Sequence, residues 1–244
     1  MSWVGDWLAR RRATRGAVVV YVSEAKVVVV RHGVVLASLD VIGRDAAMSA
    51  LEHVMRELPR GSSIQVAAAA SWCRPFLVPE VEGARQEELR TIASSMVESM
   101  TGLPAQSRVW VDVAGAGGTA GAPGASRVAV AADAAWLQGL ETSLGRSLRS
   151  VRPWWAMAID AVAASARTST QSSTPHAGLV AIEPEGFVLM LADGEAYRVA
   201  QWYELHDEDA DTVLSRALVS HHLTLEQLAV VRWDERLFSM EAAT

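Results

Sequence analysis

One succession of elements occurs twice in this chain of 244 residues, and few folds accommodate such a repeat. The first copy starts at Ala17. AVVVYVS, a tight break at Glu24-Ala25, KVVVV, a turn at His32-Gly33 and VVLASLD run through Asp40. β-Branched runs broken by polar residues or glycine predict three consecutive antiparallel strands. The stretch GRDAAMSALEHVMRELP follows, with Met48, Leu51, Val54, Met55 and Leu58 at helical spacing. SSIQVAAAA then reads as a strand. The second copy has strands at 178–185 (GLVAIEPE), 186–192 (GFVLMLA) and 195–205 (EAYRVAQWYEL), a helix over 209–221 and a strand at 228–233. The fold class is α/β, a duplicated βββαβ unit in two lobes.

Between the copies, Trp72 to Pro79 is extended, held out of helix by its prolines. Gln86 to Gly102 predicts an amphipathic helix with Leu89, Ile92, Ala93, Met96, Val97 and Met100 on its apolar face. Gly102 and Pro104 stop it. SRVWVDVA (107–114) and SRVAVAA (126–132) are strands around the glycine-rich tip GAGGTAGAPGA. Asp133 caps a helix over AAWLQGLETSLG, and SLRSVRPWW leads into a further helix, AMAIDAVAASA. The expected division is an aromatic and basic segment (1–16), a first lobe with inserted strands and helices (17–166), a linker (167–176) and a shorter second lobe (177–244).

Charge and cysteine content narrow the function. A net charge of −6, spread along the chain, argues against nucleic acid as the main partner. The single cysteine, Cys73, excludes an intrachain disulfide and suits a reducing compartment. No apolar run reaches the ~18–20 residues of a membrane span, and the start lacks the apolar stretch of a secretory leader. The expectation is a cytoplasmic protein. Trp3, Val4, Trp7 and Leu8 share one face of a short helix ahead of Arg10, Arg11 and Arg12. Such a segment either meets a membrane or partner, or docks on the body. Nine tryptophans is heavy usage, and Trp3, Trp7, Trp154 and Trp155 are candidate partner-binding residues, with core filling as the competing reading.

The sequence offers no catalytic kit. Gly115 to Ala120 matches a dinucleotide fingerprint in spacing, but it runs into Gly121, Pro123 and Gly124 and then a strand, where a helix is required. A Walker A loop needs Gly-Lys-Ser/Thr, and the only lysine is Lys26. Asp207, Asp209 and Asp211 alternate like a calcium loop, yet Thr212 and Leu218 stand where Gly and Glu are needed. An acidic first turn of a helix is the better reading. His221-His222 reads as a helix end and Cys73 as a packed thiol. No catalytic residue, metal ligand or cofactor is expected.

The repeat, the run from Gly16 to Lys26 behind Arg10-Arg11-Arg12, and the order of elements from Ser126 to Asp160 resemble the actin-like (ribonuclease H-like) superfamily. Within it, the chain is most similar to the pilus-assembly protein PilM and the cytoplasmic domain of the type II secretion protein GspL. In that superfamily the first hairpin of each lobe faces a nucleotide. The resemblance implies that Tyr21 stands where ATP-binding members carry Asp, and Ser23 where they carry Gly. The second hairpin reads Glu183-Pro184-Glu185-Gly186 in place of Asp-x-Gly-Gly. Two carboxylates repel phosphate and Pro184 removes a backbone donor, so the phosphate hairpins near Tyr21, Ser23, Lys26 and Glu183, Gly186 are expected to have decayed. The implied function is a non-catalytic cytoplasmic scaffold of a type IV pilus or type II secretion inner-membrane platform. It would bind the cytoplasmic tail of an inner-membrane partner, with the assembly ATPase as a second partner and membrane contact made through them. The alternative is a divergent actin-like ATP-binding switch or kinase. A ribonuclease H-like nuclease would need clustered carboxylates, which Glu24, Asp40 and Asp112 do not provide.

Overall fold

The computed structural model describes residues 18–59, 61–79, 81, 83–111, 126–168, 177–193 and 196–234. The first copy of the repeat is a meander of β1 (Val18–Val22), β2 (Lys26–Arg31) and β3 (Val34–Asp40). Its second turn is the two-residue His32-Gly33, with φ of 50° and 73°. Positive φ at both positions matches the turn to the right-handed twist of the strands. Helix α1 (Arg44–Glu57) buries Ala47, Leu51 and Val54 and returns the chain to β4 (Ile64–Ala68), parallel to β1.

The chain then leaves this sheet to build an inserted one. β5 (Cys73–Pro79), β6 (Arg108–Val111) and β7 (Ser126–Ala132) form an antiparallel sheet in the order β5-β7-β6. Helix α2 (Gln86–Thr101) supplies Ala93 and Val97 to a small core with Phe76, Val78, Val109 and Ala129. Gly102 ends α2 in the left-handed conformation, φ 68°, and its N–H reaches the Glu98 carbonyl, as its place in the sequence predicts. The extended segment from Trp72 is thus a strand. It tolerates Pro75 because β5 pairs on one side only, with β7. Asp133 caps α3 (Ala134–Leu144), accepting from the backbone N–H of Ala135 and Trp136.

SLRSVRP, which carries no strand pattern, forms β8 (Leu148–Pro153) at the edge of the first sheet, in the order β3-β2-β1-β4-β8. As an edge strand it leaves Arg149 exposed, Arg152 pairs with Asp160 at 2.9 Å, and Pro153 is its last residue. Helix α4 (Trp154–Thr168) crosses to the second copy: β9 (Gly178–Glu183), β10 (Gly186–Asp193), β11 (Ala196–Glu204), α5 (Ala210–Val219) and β12 (Leu228–Arg232). Their order is β11-β10-β9-β12, with β12 parallel to β9. The duplicated βββαβ unit is therefore present. The first lobe adds β8, and no described residue of the second occupies the matching place beside β12. The residues before 18 and the stretches 112–125 and 169–176 lie outside the described residues, and with them Trp3, Trp7, the fingerprint match at Gly115 and most of the expected linker.

The two lobes share a core. Val20, Val28 and Val66 of the first sheet, Leu51 of α1, Leu140 of α3 and Trp154 and Trp155 of α4 belong to one cluster with Leu179, Ala181, Val188 and Met190 of the second sheet. The opposite face of the second sheet carries Val180, Phe187, Leu189 and Leu191 against Val213, Leu214 and Leu218 of α5. Burial on both faces explains why β9 and β10 are near-continuous apolar runs. A shared core makes the lobes one cooperative unit. Thermal unfolding followed by calorimetry should therefore show a single transition, and Met190→Ala should lower it as a whole, costing about 2–5 kcal/mol. Two transitions, only one of them moved by the substitution, would contradict this.

Candidate functional site

The shared core brings the first hairpin of each lobe into direct contact. Ser23 is fully buried in the β1–β2 turn, and its Oγ accepts from the backbone N–H of Ala25 at 3.1 Å and of Lys26 at 2.8 Å. The loop before α1 holds the same turn from outside. The Gly43 N–H donates to the Glu24 carbonyl at 2.7 Å and the Val41 N–H to the Ala25 carbonyl at 2.9 Å. The turn is thus braced on both sides.

The second hairpin arrives from the facing lobe with two carboxylates. Glu185 Oε1 accepts from the Ala25 N–H, and Glu185 Oε2 accepts from the Ser71 hydroxyl at 3.1 Å. Glu183, 2% exposed, accepts from the Ala70 N–H at 2.8 Å through Oε2. Its Oε1 is buried without a hydrogen-bond partner. Burial pushes both carboxyls above the usual glutamate range, and the charge of Glu185 adds to the effect on Glu183. Burial and then these two carboxylates push the Tyr21 phenol well up as well, so Tyr21 stays neutral behind the hairpins, 4.8 Å from the Trp233 ring.

A charged rim closes one side. Arg44 donates to Glu24 at 2.7 Å and to Asp133 at 2.9 Å, and its guanidinium lies 5.3 Å from the Trp72 ring centroid. Trp72 packs edge-on to Trp136 at 4.7 Å. Asp133 therefore works twice, as the cap of α3 and as an anchor for Arg44.

Several sequence expectations change here. Tyr21, Ser23 and Glu183 do meet at one place. Lys26 points elsewhere, with Nζ 3.6 Å from Asp40 and 5.5 Å from the Trp233 ring centroid. Gly186 has a packing reason. A Cβ there would lie 2.2 Å from the Trp202 ring and 2.3 Å from the Tyr203 carbonyl oxygen. Trp154 and Trp155 are 2% and 3% exposed, and the Trp155 indole N–H donates to the Cys73 carbonyl at 2.9 Å, so neither offers a surface to a partner. Cys73 is packed, and burial pushes its thiol far up. Asp209 caps α5, accepting from the backbone N–H of Asp211 and Thr212, and Asp211 pairs with Arg232 at 2.6 Å. Ala70, Ser71, Arg44 and Asp133 were not singled out for the site. The turn after β4 gives them no local motif, since only the tertiary fold brings residues 70–71 opposite 183–185.

No helix among the described residues is long and apolar enough to cross a membrane. No family model matches the sequence, and no curated protein does. Solved structures do match. The cytoplasmic domain of EpsL, an inner-membrane component of the type II secretion system of Vibrio cholerae, is similar over 93% of this chain and 94% of its own, with TM-score 0.55 and 16% identity. A Bacteroides thetaiotaomicron protein with an actin-like ATPase fold and unknown function covers 94% and 96%, with TM-score 0.58 and 8% identity. The PilM-PilN type IV pilus biogenesis complex covers 94% of this chain and 69% of the matched one, with TM-score 0.47 and 16% identity. The duplicated βββαβ topology and the first two of these neighbours agree: the chain has the actin-like ATPase fold.

The buried carboxyls make stability depend on pH. Their pKa values are raised in the folded state, so the folded protein holds protons that the unfolded chain releases above about pH 4.3. Their contribution is full below that range and is lost as pH rises through the raised native values. Denaturation midpoints should therefore fall as pH rises above about 4.3, and Glu183→Gln should flatten the decline. An unchanged slope would contradict the burial of a titrating Glu183. Gly186→Ala should cost about 1–3 kcal/mol, because both the Trp202 ring and the Tyr203 backbone must give way. A neutral result in a chemical melt would count against that packing.

Proposed function

We propose that this chain is a non-catalytic scaffold of a bacterial type IV pilus or type II secretion inner-membrane assembly platform. It binds the cytoplasmic tail of a membrane partner, with the assembly ATPase as a second partner. It lies in the cytoplasm, held at the inner membrane through those partners. The likeness to the EpsL cytoplasmic domain over nearly the whole of both chains supports the setting. The observation that carries the non-catalytic half is the direct contact between hairpins. Where a nucleotide-binding member needs space for phosphate oxygens, the Ala25 N–H meets the Glu185 carboxylate.

The alternative, an ATP-binding switch, makes the opposite forecast for MgATP. Calorimetric titration with MgATP should give no heat. Binding with a micromolar Kd would stabilise the fold by about 2.7 kcal/mol at about 100-fold excess and shift a melt, whereas the scaffold predicts no shift. Titration with synthetic peptides, matching the cytoplasmic tails of the host's bitopic pilus or secretion proteins, should show one tail binding. MgATP binding with a melt shift, and no tail bound, would replace the scaffold with the switch.

A further inference from the structure

Beside the Ser23 hydroxyl, which also bonds Glu185, three donors of the first lobe converge on the cleft: the Ala25 N–H from the β1–β2 turn, and the Ala70 N–H and Ser71 hydroxyl from the turn after β4. Backbone N–H groups in a turn, joined by a hydroxyl, form a concavity that suits an anion. The nearby cation, Arg44, is already engaged by Glu24 and Asp133, so the cradle is made of neutral dipoles. Every oxygen that answers these donors belongs to Glu183 or Glu185. The three bonds join residues 160, 113 and 114 positions apart in the chain, so each of them ties one lobe to the other.

Local sequence explains how one hairpin delivers both carboxylates. Glu183 ends β9 and pairs with Gly186, which opens β10, leaving Pro184-Glu185 as a two-residue turn. Proline presets φ for the first position of such a turn. Its missing N–H costs nothing, because the donors come from the other lobe. Trp202 packs over Gly186, and the Leu205 N–H donates to the Glu185 carbonyl at 3.0 Å, so the turn is fixed before it meets the first lobe.

We propose that the chain supplies its own anion to this cradle: Glu185, backed by Glu183, sits where a small bound oxyanion would sit and clamps the two lobes together without a ligand. This goes beyond the scaffold reading and holds whichever partner the protein binds. Removing the side chain of Glu185 leaves an anion-sized site and frees the Ala25 N–H and the Ser71 hydroxyl, while the Ala70 N–H stays with Glu183. A free carboxylate or phosphate ion then fills it.

The full chain carrying Glu185→Ala tests the clamp. Its melting temperature should fall below that of the unaltered protein. Sodium acetate or inorganic phosphate should restore it in a saturable way, and sodium chloride at equal ionic strength should not. The unaltered protein sets the baseline, because phosphate stabilises any fold through exclusion from its surface, and the variant's gain should exceed that baseline. Equal responses of the two proteins to the three salts would overturn the proposal. Glu185→Gln keeps the shape and one acceptor, and covers the case in which the alanine variant fails to fold. In its amide spectrum the Ala25 N–H should move as its acceptor loses charge, while Val20 in β1 should not. An unmoved Ala25 resonance would overturn the proposal as well.

Discussion

A carboxylate leaves water only where hydrogen bonds replace its hydration, and this protein places two of them between its lobes. Glu183 and Glu185 meet that requirement through the Ala70 N–H, the Ala25 N–H and the Ser71 hydroxyl, all contributed by the opposite lobe. Replacement is incomplete at Glu183 Oε1, and burial raises both pKa values in consequence. Such a contact survives only if the surrounding core over-determines it. The core does so. Val20 and Val66 of the first sheet and Val188 and Met190 of the second lie in one cluster, with Trp154 and Trp155 of the crossing helix packed among them.

That arrangement ties the lobes together at two levels. Here an apolar core fills the junction and hairpin touches hairpin at its mouth. The side chains of the two hairpins each have a structural task. Ser23 orders the first turn through two backbone donors, Tyr21 fills the space behind it, and the glutamates close the gap. The Glu185 carboxyl occupies the place where donors of the first lobe converge.

Much of the fold was legible in the sequence. The β-branched runs from Val18 to Asp40 and from Gly178 to Glu204 predict their meanders because both faces of the central strands are apolar. Asp133 and Gly102 mark a helix start and a helix end by local chemistry alone. β8 was not legible, since its arginines and serine fit an edge position that only the assembled sheet defines. The site was half legible. The hairpin positions Tyr21, Ser23, Glu183 and Gly186 could be found from the repeat. Their partners Ala70 and Ser71 could not, because an alanine N–H and a lone serine carry no signal until the fold sets them opposite Glu185. Trp154 and Trp155 show the same limit, as tryptophan suits core and interface equally.

Amide exchange at single-residue resolution, in the ligand-free protein, is the most direct measurement of the clamp. A turn amide exposed to solvent exchanges fast, whereas one bonded to a buried carboxylate opens only when the lobes separate. A ligand-independent clamp predicts that Ala25 and Ala70 exchange nearly as slowly as Val20 in the core of β1. Fast exchange at Ala25 and Ala70 beside a protected Val20 would show lobes that part freely, and would contradict it.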